Sequence, residues 1–123
     1  MTSKEMKFER DALLILVSQA GSGWVVRWTG ASDLRDPQAF IQPIVDYMID
    51  QLKSKSVTID FTGLSFMNSS TVSPIIRMLK SLNANAVDTR VEFSSADWQQ
   101  THLRCLRTIC RLLDHVTIIG RPA

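Results

Sequence analysis

Apolar residues recur along the chain in short blocks whose period changes from two to about 3.6, and those changes mark the element boundaries. Ala12 to Val17 is a continuous apolar run. It meets Trp24-Val25-Val26-Arg27-Trp28 across Ser18 to Gly23, a connection holding two glycines suited to positive φ, which predicts a strand, a turn and a second strand. Asp36-Pro37 then supplies a cap and a proline at the first helical position. Phe40, Ile41, Ile44, Val45, Met48 and Leu52 follow at three- and four-residue spacing, the pattern of an amphipathic helix. Ser56 to Phe61 alternates with β-branched residues and predicts a core strand, which Gly63 breaks so that Leu64-Ser65-Phe66-Met67 leads out as a loop. From Ser69 the helical spacing returns with Val72, Ile75, Ile76, Leu79 and Leu82. Lys80 suits the negative pole of that helix, and Pro74 is expected close enough to its start for the missing N–H to cost little. Asn83-Ala84-Asn85 ends the helix, and Thr89 to Ser94 alternates as another strand. Asp97 caps a third helix with Leu103, Leu106, Cys110 and Leu113 inward and Arg104, Arg107 and Arg111 outward; Val116 to Ile119 is a short last strand before Gly120.

The resulting order is β-β-α-β-α-β-α-β. Helices joining successive strands imply parallel pairing through right-handed crossovers, with the first strand adding by a hairpin. The expected fold is therefore α/β, a mixed sheet with an N-terminal hairpin and helices packed on it. Residues 1–123 form one domain, with residues 1–10 expected to be flexible; the chain shows no internal repeat, low-complexity stretch or linker.

Composition narrows the chemistry. The 123 residues are 45% hydrophobic and 21% charged, enough for one core that needs neither disulfides nor a structural metal. Two histidines, two cysteines and five glycines argue against zinc fingers, disulfide scaffolds and glycine-rich nucleotide loops, so no cofactor and no metal are expected. A net charge of +2 is too small for phosphate-backbone binding, so nucleic acid is not an expected partner. The polar, mixed-charge Met1 to Lys7 does not open a signal peptide, and no segment approaches the roughly 20 apolar residues that span a bilayer. A cytoplasmic protein follows as the expectation, without membrane insertion. Five residues of helix would separate Cys105 and Cys110 by about 7.5 Å, poor disulfide geometry, so both read as reduced core residues.

The unusual stretch is Phe66-Met67-Asn68-Ser69-Ser70-Thr71-Val72-Ser73, which places four hydroxyl residues and an amide where a buried strand meets a helix. Capping by Asn68, Ser69 or Ser70 accounts for one of these side chains, at about 1 kcal/mol. A functional reading begins from the helix N-terminus, where free N–H groups and the dipole favour an added anion. Phosphorylation there would add roughly two negative charges without unfolding the helix. A partner packed over the same end would face a heavily hydrated dianion, so one modification could leave the domain intact and break a complex.

The segment Val57 to Ser70, with Asp60 in the strand, the Thr62-Gly63 turn, the apolar pair around Ser65 and then Asn68-Ser69-Ser70 opening a helix, resembles the central signature of STAS domains, especially bacterial anti-sigma factor antagonists. Trp24 to Gly30 is similar to the strand ending in Gly that precedes their first helix. The resemblance implies a non-enzymatic signalling switch. Ser69 would be the phosphoacceptor, ahead of Ser70 and Thr71, and Asn68, Ser69, Ser70, Thr71 and Ser73 would form the partner surface. The implied partners are a GHKL-type serine kinase that is also the anti-sigma factor, released on phosphorylation, and a PP2C-type phosphatase. Two positions depart from the pattern. Asn68 stands where the motif has Asp, and Thr71 replaces a Gly, adding bulk expected at the contact surface. The alternative is a constitutive, non-phosphorylated STAS binding subunit or scaffold, such as a partner of an ABC-transporter ATPase.

Other groups have plainer readings. Arg104, Arg107 and Arg111 suit the solvated face of an amphipathic helix. His102 and His115 could serve a serine nucleophile at Ser69 or Ser70 only with an orienting group, for which no spacing is legible. Trp24 and Trp28, four residues apart in one strand, point to the same face and are expected to pack against the helices.

Overall fold

The structure is a computed structural model that describes residues 5–20, 23–52, 56–94 and 97–120. Its elements are β1 (Glu5–Arg10), β2 (Leu13–Ala20), β3 (Gly23–Ser32), α1 (Pro37–Leu52), β4 (Ser56–Met67), α2 (Ser69–Ala84), β5 (Asp88–Phe93), α3 (Asp97–Cys110) and β6 (Val116–Gly120). The strands form one six-stranded sheet in sequential order, β1-β2-β3-β4-β5-β6. β1, β2 and β3 pair antiparallel, and β3 to β6 pair parallel. Successive crossovers that all advance in one direction with one handedness put their helices on the same side of the sheet.

The burial pattern follows from that arrangement. Trp24, Val26 and Trp28 of β3, Val57, Ile59 and Phe61 of β4, and Val91 and Phe93 of β5 are buried toward the helices. Their alternates, Arg27, Thr58, Asp60 and Arg90, lie on the open face with greater exposure. Trp28 meets Phe61 edge-on at 5.0 Å and Phe61 stacks on Phe93 at 5.1 Å, an aromatic row across three neighbouring strands. α1 contributes Ile41, Ile44, Val45 and Met48, and α2 contributes Ile75, Met78, Leu79 and Leu82.

Three expectations need correction. Of residues 1–10, expected to be flexible, 1–4 lie outside the described residues and 5–10 form the edge strand β1, whose Phe8 sits opposite Ile15 and packs against Tyr47. Charged neighbours hid the alternation, since edge strands carry charge on positions that a central strand cannot. Gly63 does not end its strand, because β4 runs on to Met67. A Cβ there would lie 2.9 Å from Thr29 Cγ2 and 3.2 Å from the Trp28 carbonyl, so the glycine lets β4 pass close to β3 where their register shifts. Pro74 is the sixth residue of α2, beyond the N–H groups a helix leaves free, so Ser70 O cannot receive the usual helical N–H.

Positive φ falls on Gly30 (φ +87), with none at Gly23; Gly21 lies outside the described residues. Asp36 caps α1 through the Ala39 N–H at 3.3 Å, as expected. The side chains of Asp97 and Leu103 lie outside the described ones. Leu106 and Cys110 are buried while Arg104, Arg107 and Arg111 are exposed. Cys105 is exposed, against the expectation of a core residue, because one position before Leu106 turns it outward.

Candidate partner-binding site

β4 delivers the chain to the sheet's end, and Asn68 turns it into α2. Asn68 is extended (φ −74, ψ 163), and its N–H donates to the Ser32 carbonyl at 2.8 Å. Its side-chain NH2 donates to the Leu34 carbonyl at 3.1 Å, tying the turn to the segment that leads into α1. Its Oδ1 accepts from the Thr71 N–H at 3.1 Å and from the Thr71 hydroxyl at 2.6 Å. Because Oδ1 can only accept, the Thr71 hydroxyl donates to it and receives the Ser32 hydroxyl at 2.7 Å. Ser32 and Thr71 are both fully buried.

Thr71 is therefore not on the contact surface, nor is its hydroxyl offered for modification; its bulk faces inward and closes a buried polar chain from β3 to α2. Its methyl and hydroxyl occupy space that a glycine would leave open, and the hydroxyl satisfies Ser32 where no water need enter.

Ser69, Ser70 and Ser73 are all exposed, within about 100° of one another around the helix start. Ser70, Ser73 and Arg77, at three- and four-residue spacing, line a shallow groove of about 260 Å³ against Arg35, Asp36, Pro37 and Gln38 at the start of α1. One residue of helix sets Ser69 about 100° from Ser70, at the edge of this face between Ser73, its i+4 neighbour, and half-buried Val72 and Ile76. Phe66, 48% exposed, is the last residue but one of β4 beside this turn, where the sequence predicted a loop and gave it no role. Nothing in the sequence marks its exposure, since an apolar ring at the end of a strand reads as core.

Two residues of α3 hold the junction from the other side. Buried Gln99 donates from Nε2 to the carbonyls of Phe61 and Leu64, both at 3.0 Å, and accepts the Ser94 N–H on Oε1 at 2.6 Å. β5 pairs with β4 only as far as Asp60 and Glu92, so Gln99 serves the β4 carbonyls that outrun it. His102 stacks edge-on against Trp98 at 5.9 Å. Burial pushes its pKa below the ordinary 6.5, partly offset by a hydrogen bond with the Met67 backbone. His115 lies at the opposite end of the parallel strands, where its Nδ1 is 3.0 Å from Asp88 Oδ1. Neither Gln99 nor the Met67 contact was legible, because both join residues more than thirty positions apart.

No family model matches the chain, and no curated protein sequence matches it significantly. Solved structures do. The structure of the diguanylate cyclase SiaD in complex with its activator SiaC from Pseudomonas aeruginosa superposes with a TM-score of 0.67 at 11% identity, covering 94% of this chain and 99% of the other. SiaC of Pseudomonas aeruginosa gives 0.66 at 12% identity over 98% and 100%. An anti-sigma factor antagonist from Mycobacterium paratuberculosis gives 0.63 at 19% identity over 82% and 85%. The chain has a STAS-like fold.

Within that STAS-like fold, the exposed serines sit at the start of the helix that follows a central parallel strand. No helix of the described residues is long and apolar enough to cross a membrane. Among the described residues, no group of three or more His, Cys, Asp and Glu side chains could hold a metal ion.

Proposed function

We propose that this protein is a partner-switching regulator that binds another protein through the start of α2 and is released when Ser69 is phosphorylated. The observation that carries the reading is the position of Ser69. It is exposed in the first turn of α2, beside the groove but not among the residues that line it with Arg35 and Arg77, and close in the chain to the exposed ring of Phe66. The helix N-terminus tolerates a phosphate there, while a partner seated on Phe66 and the first turn meets its charge directly. A phosphate on Ser70 or Ser73 would instead enter the groove, where two guanidinium groups can neutralise it.

The partner would be a GHKL-type serine kinase acting also as an anti-sigma factor, with a PP2C-type phosphatase resetting the switch. The site supplies a rigid helix end and a hydroxyl, and the chemistry belongs to those two enzymes, so no cofactor is needed in this chain. Cytoplasmic location accords with this role.

The test incubates the protein with ATP and the GHKL kinase encoded nearest its gene, then maps phosphate by mass spectrometry and measures kinase affinity for wild type and Ser69→Asp. Phosphate on Ser69 with affinity lost in the variant is expected. No phosphate on Ser69, together with unchanged affinity of the Ser69→Asp variant, refutes the switch.

A second reading is favoured by one comparison: SiaC is the activator of a diguanylate cyclase, so a protein of this fold binds an enzyme of another class. A constitutive binding subunit would use the same end of α2 and remain bound whatever the state of Ser69.

A further inference from the structure

The outer side of α3 carries two adjacent rows. Cys105, Ile109 and Leu112 recur at i, i+4 and i+7, and all three are exposed, Ile109 to 41% and Leu112 to 81%. Arg104, Thr108 and Arg111 recur at the same spacing one position earlier and are exposed as well. Arg111 and Leu112 lie in the turn just past α3, where the Leu113 N–H donates to the Cys110 carbonyl at 2.9 Å. The core side of the helix is filled separately by Gln99, Leu106 and Cys110. The outer apolar row is therefore surplus to the fold.

The cations beside it are also uncommitted. Arg107 reaches the Ile118 carbonyl at 3.4 Å, but the ion pairs among the described residues are Arg27–Asp60, Arg90–Glu92 and His115–Asp88. Arg104 and Arg111 belong to none of them. This charge pattern decides what can cover the row. A second copy would bring arginine against arginine, because α3 carries no Asp or Glu after Asp97. An anionic bilayer, which would cover the whole end of the domain, would also meet exposed Asp88 and Asp114, whereas one helix laid along α3 can confine its acids to the Arg104 and Arg111 side.

We infer that this face of α3 docks an amphipathic helix of another protein, with the partner's apolar stripe on Cys105, Ile109 and Leu112 and its acidic flank on Arg104 and Arg111. The surface is distinct from the start of α2. Ser69 follows the carboxyl end of β4, whereas Leu112 precedes the amino end of β6, at the opposite end of these parallel strands. Both surfaces can be occupied at once, which makes the domain an adaptor between two proteins.

The test uses two synthetic amphipathic peptides of about 18 residues with the same leucine stripe, one flanked by Glu and one by Lys, titrated against the full-length protein by fluorescence anisotropy. The Glu peptide is expected to bind, with amide shifts on 104–112. The Lys peptide is expected to bind at least about tenfold more weakly. Leu112→Glu should lose about tenfold in affinity for the Glu peptide, and Arg104→Glu/Arg111→Glu should reverse the preference between peptides. All these positions are exposed, and circular dichroism establishes that the variants fold. Equal binding of both peptides, or shifts away from α3, overturns the inference. So does a dimer in sedimentation that Leu112→Glu dissociates, or binding of phosphatidylglycerol vesicles with no peptide binding.

Discussion

The side-chain oxygen of Asn68 accepts two hydrogen bonds from a single residue, Thr71, one from its backbone N–H and one from its hydroxyl. The pair makes the cap of α2 and the buried link to Ser32 one unit. Asn68→Ala should cost about 1 to 2 kcal/mol by losing the cap. Thr71→Val keeps the shape but leaves the Ser32 hydroxyl and Asn68 Oδ1 short of a partner, for about 1 to 3 kcal/mol. Asn68→Asp keeps the cap acceptor but replaces the NH2 that donates to the Leu34 carbonyl with an acceptor oxygen, so it should also lose about 1 to 2 kcal/mol. Urea unfolding of the three variants checks these losses.

The orientation of the serines predicts unequal effects. Ser69→Asp should abolish binding of the partner that docks on α2, and Ser70→Asp, directed at Arg35 and Arg77, should weaken it less. Phe66→Ala should cost about 1 to 3 kcal/mol of binding energy, the range of a partly exposed aromatic anchor, and leave unfolding unchanged within about 0.5 kcal/mol. Calorimetric titration of each variant with the proposed kinase partner decides.

Gln99 satisfies three backbone groups at once, so Gln99→Leu leaves two buried carbonyls and one N–H without it. A loss of about 3 kcal/mol or more is expected, large beside ordinary surface changes. Hydrogen exchange should accelerate at Ser94 in the same variant.

His102 titrates below 6.5 because it is buried, so the unfolded chain takes up its proton first as the pH falls. Its contribution to stability is complete above pH 6.5 and is lost as the pH drops from there through its lowered folded value. The urea midpoint of wild type should fall between pH 7.5 and pH 5.5, and that fall should be smaller in His102→Gln. An equal fall in both proteins would remove His102 as its source.

The two thiols should separate by reactivity. Cys110 is buried, and burial pushes its pKa up from the usual 9.0, whereas Cys105 is exposed. Iodoacetamide should label Cys105 in the native protein and reach Cys110 only in denaturant, as peptide mapping would show.

Helix and strand periods alone placed α1, α2, α3 and the parallel order of the sheet, since three- and two-residue recurrence is local to each segment. A cap from among Asn68, Ser69 and Ser70 and exposed hydroxyls at the helix start were legible for the same reason, while the structure gave the cap to Asn68. β1 was not, because an edge strand needs only Phe8 on the core side and looks polar otherwise. The path of β4 past Gly63 was not, because it depends on the approach of Thr29 from a strand far away in sequence.

What the sequence by itself determined is the set of elements, their order and a hydroxyl-rich helix start, all consequences of side-chain periodicity and capping chemistry acting over a few residues. Tertiary structure alone decided which hydroxyls reach the surface. Thr71 turns inward because Ser32, thirty-nine positions earlier, needs a hydrogen bond in a place without solvent. Ser70 lines the groove against the start of α1 while Ser69 sits at its edge, because α1 packs along one flank of α2. Contacts between distant segments carry no local signature, so the roles of these neighbouring residues appear only once the helices are packed on the sheet.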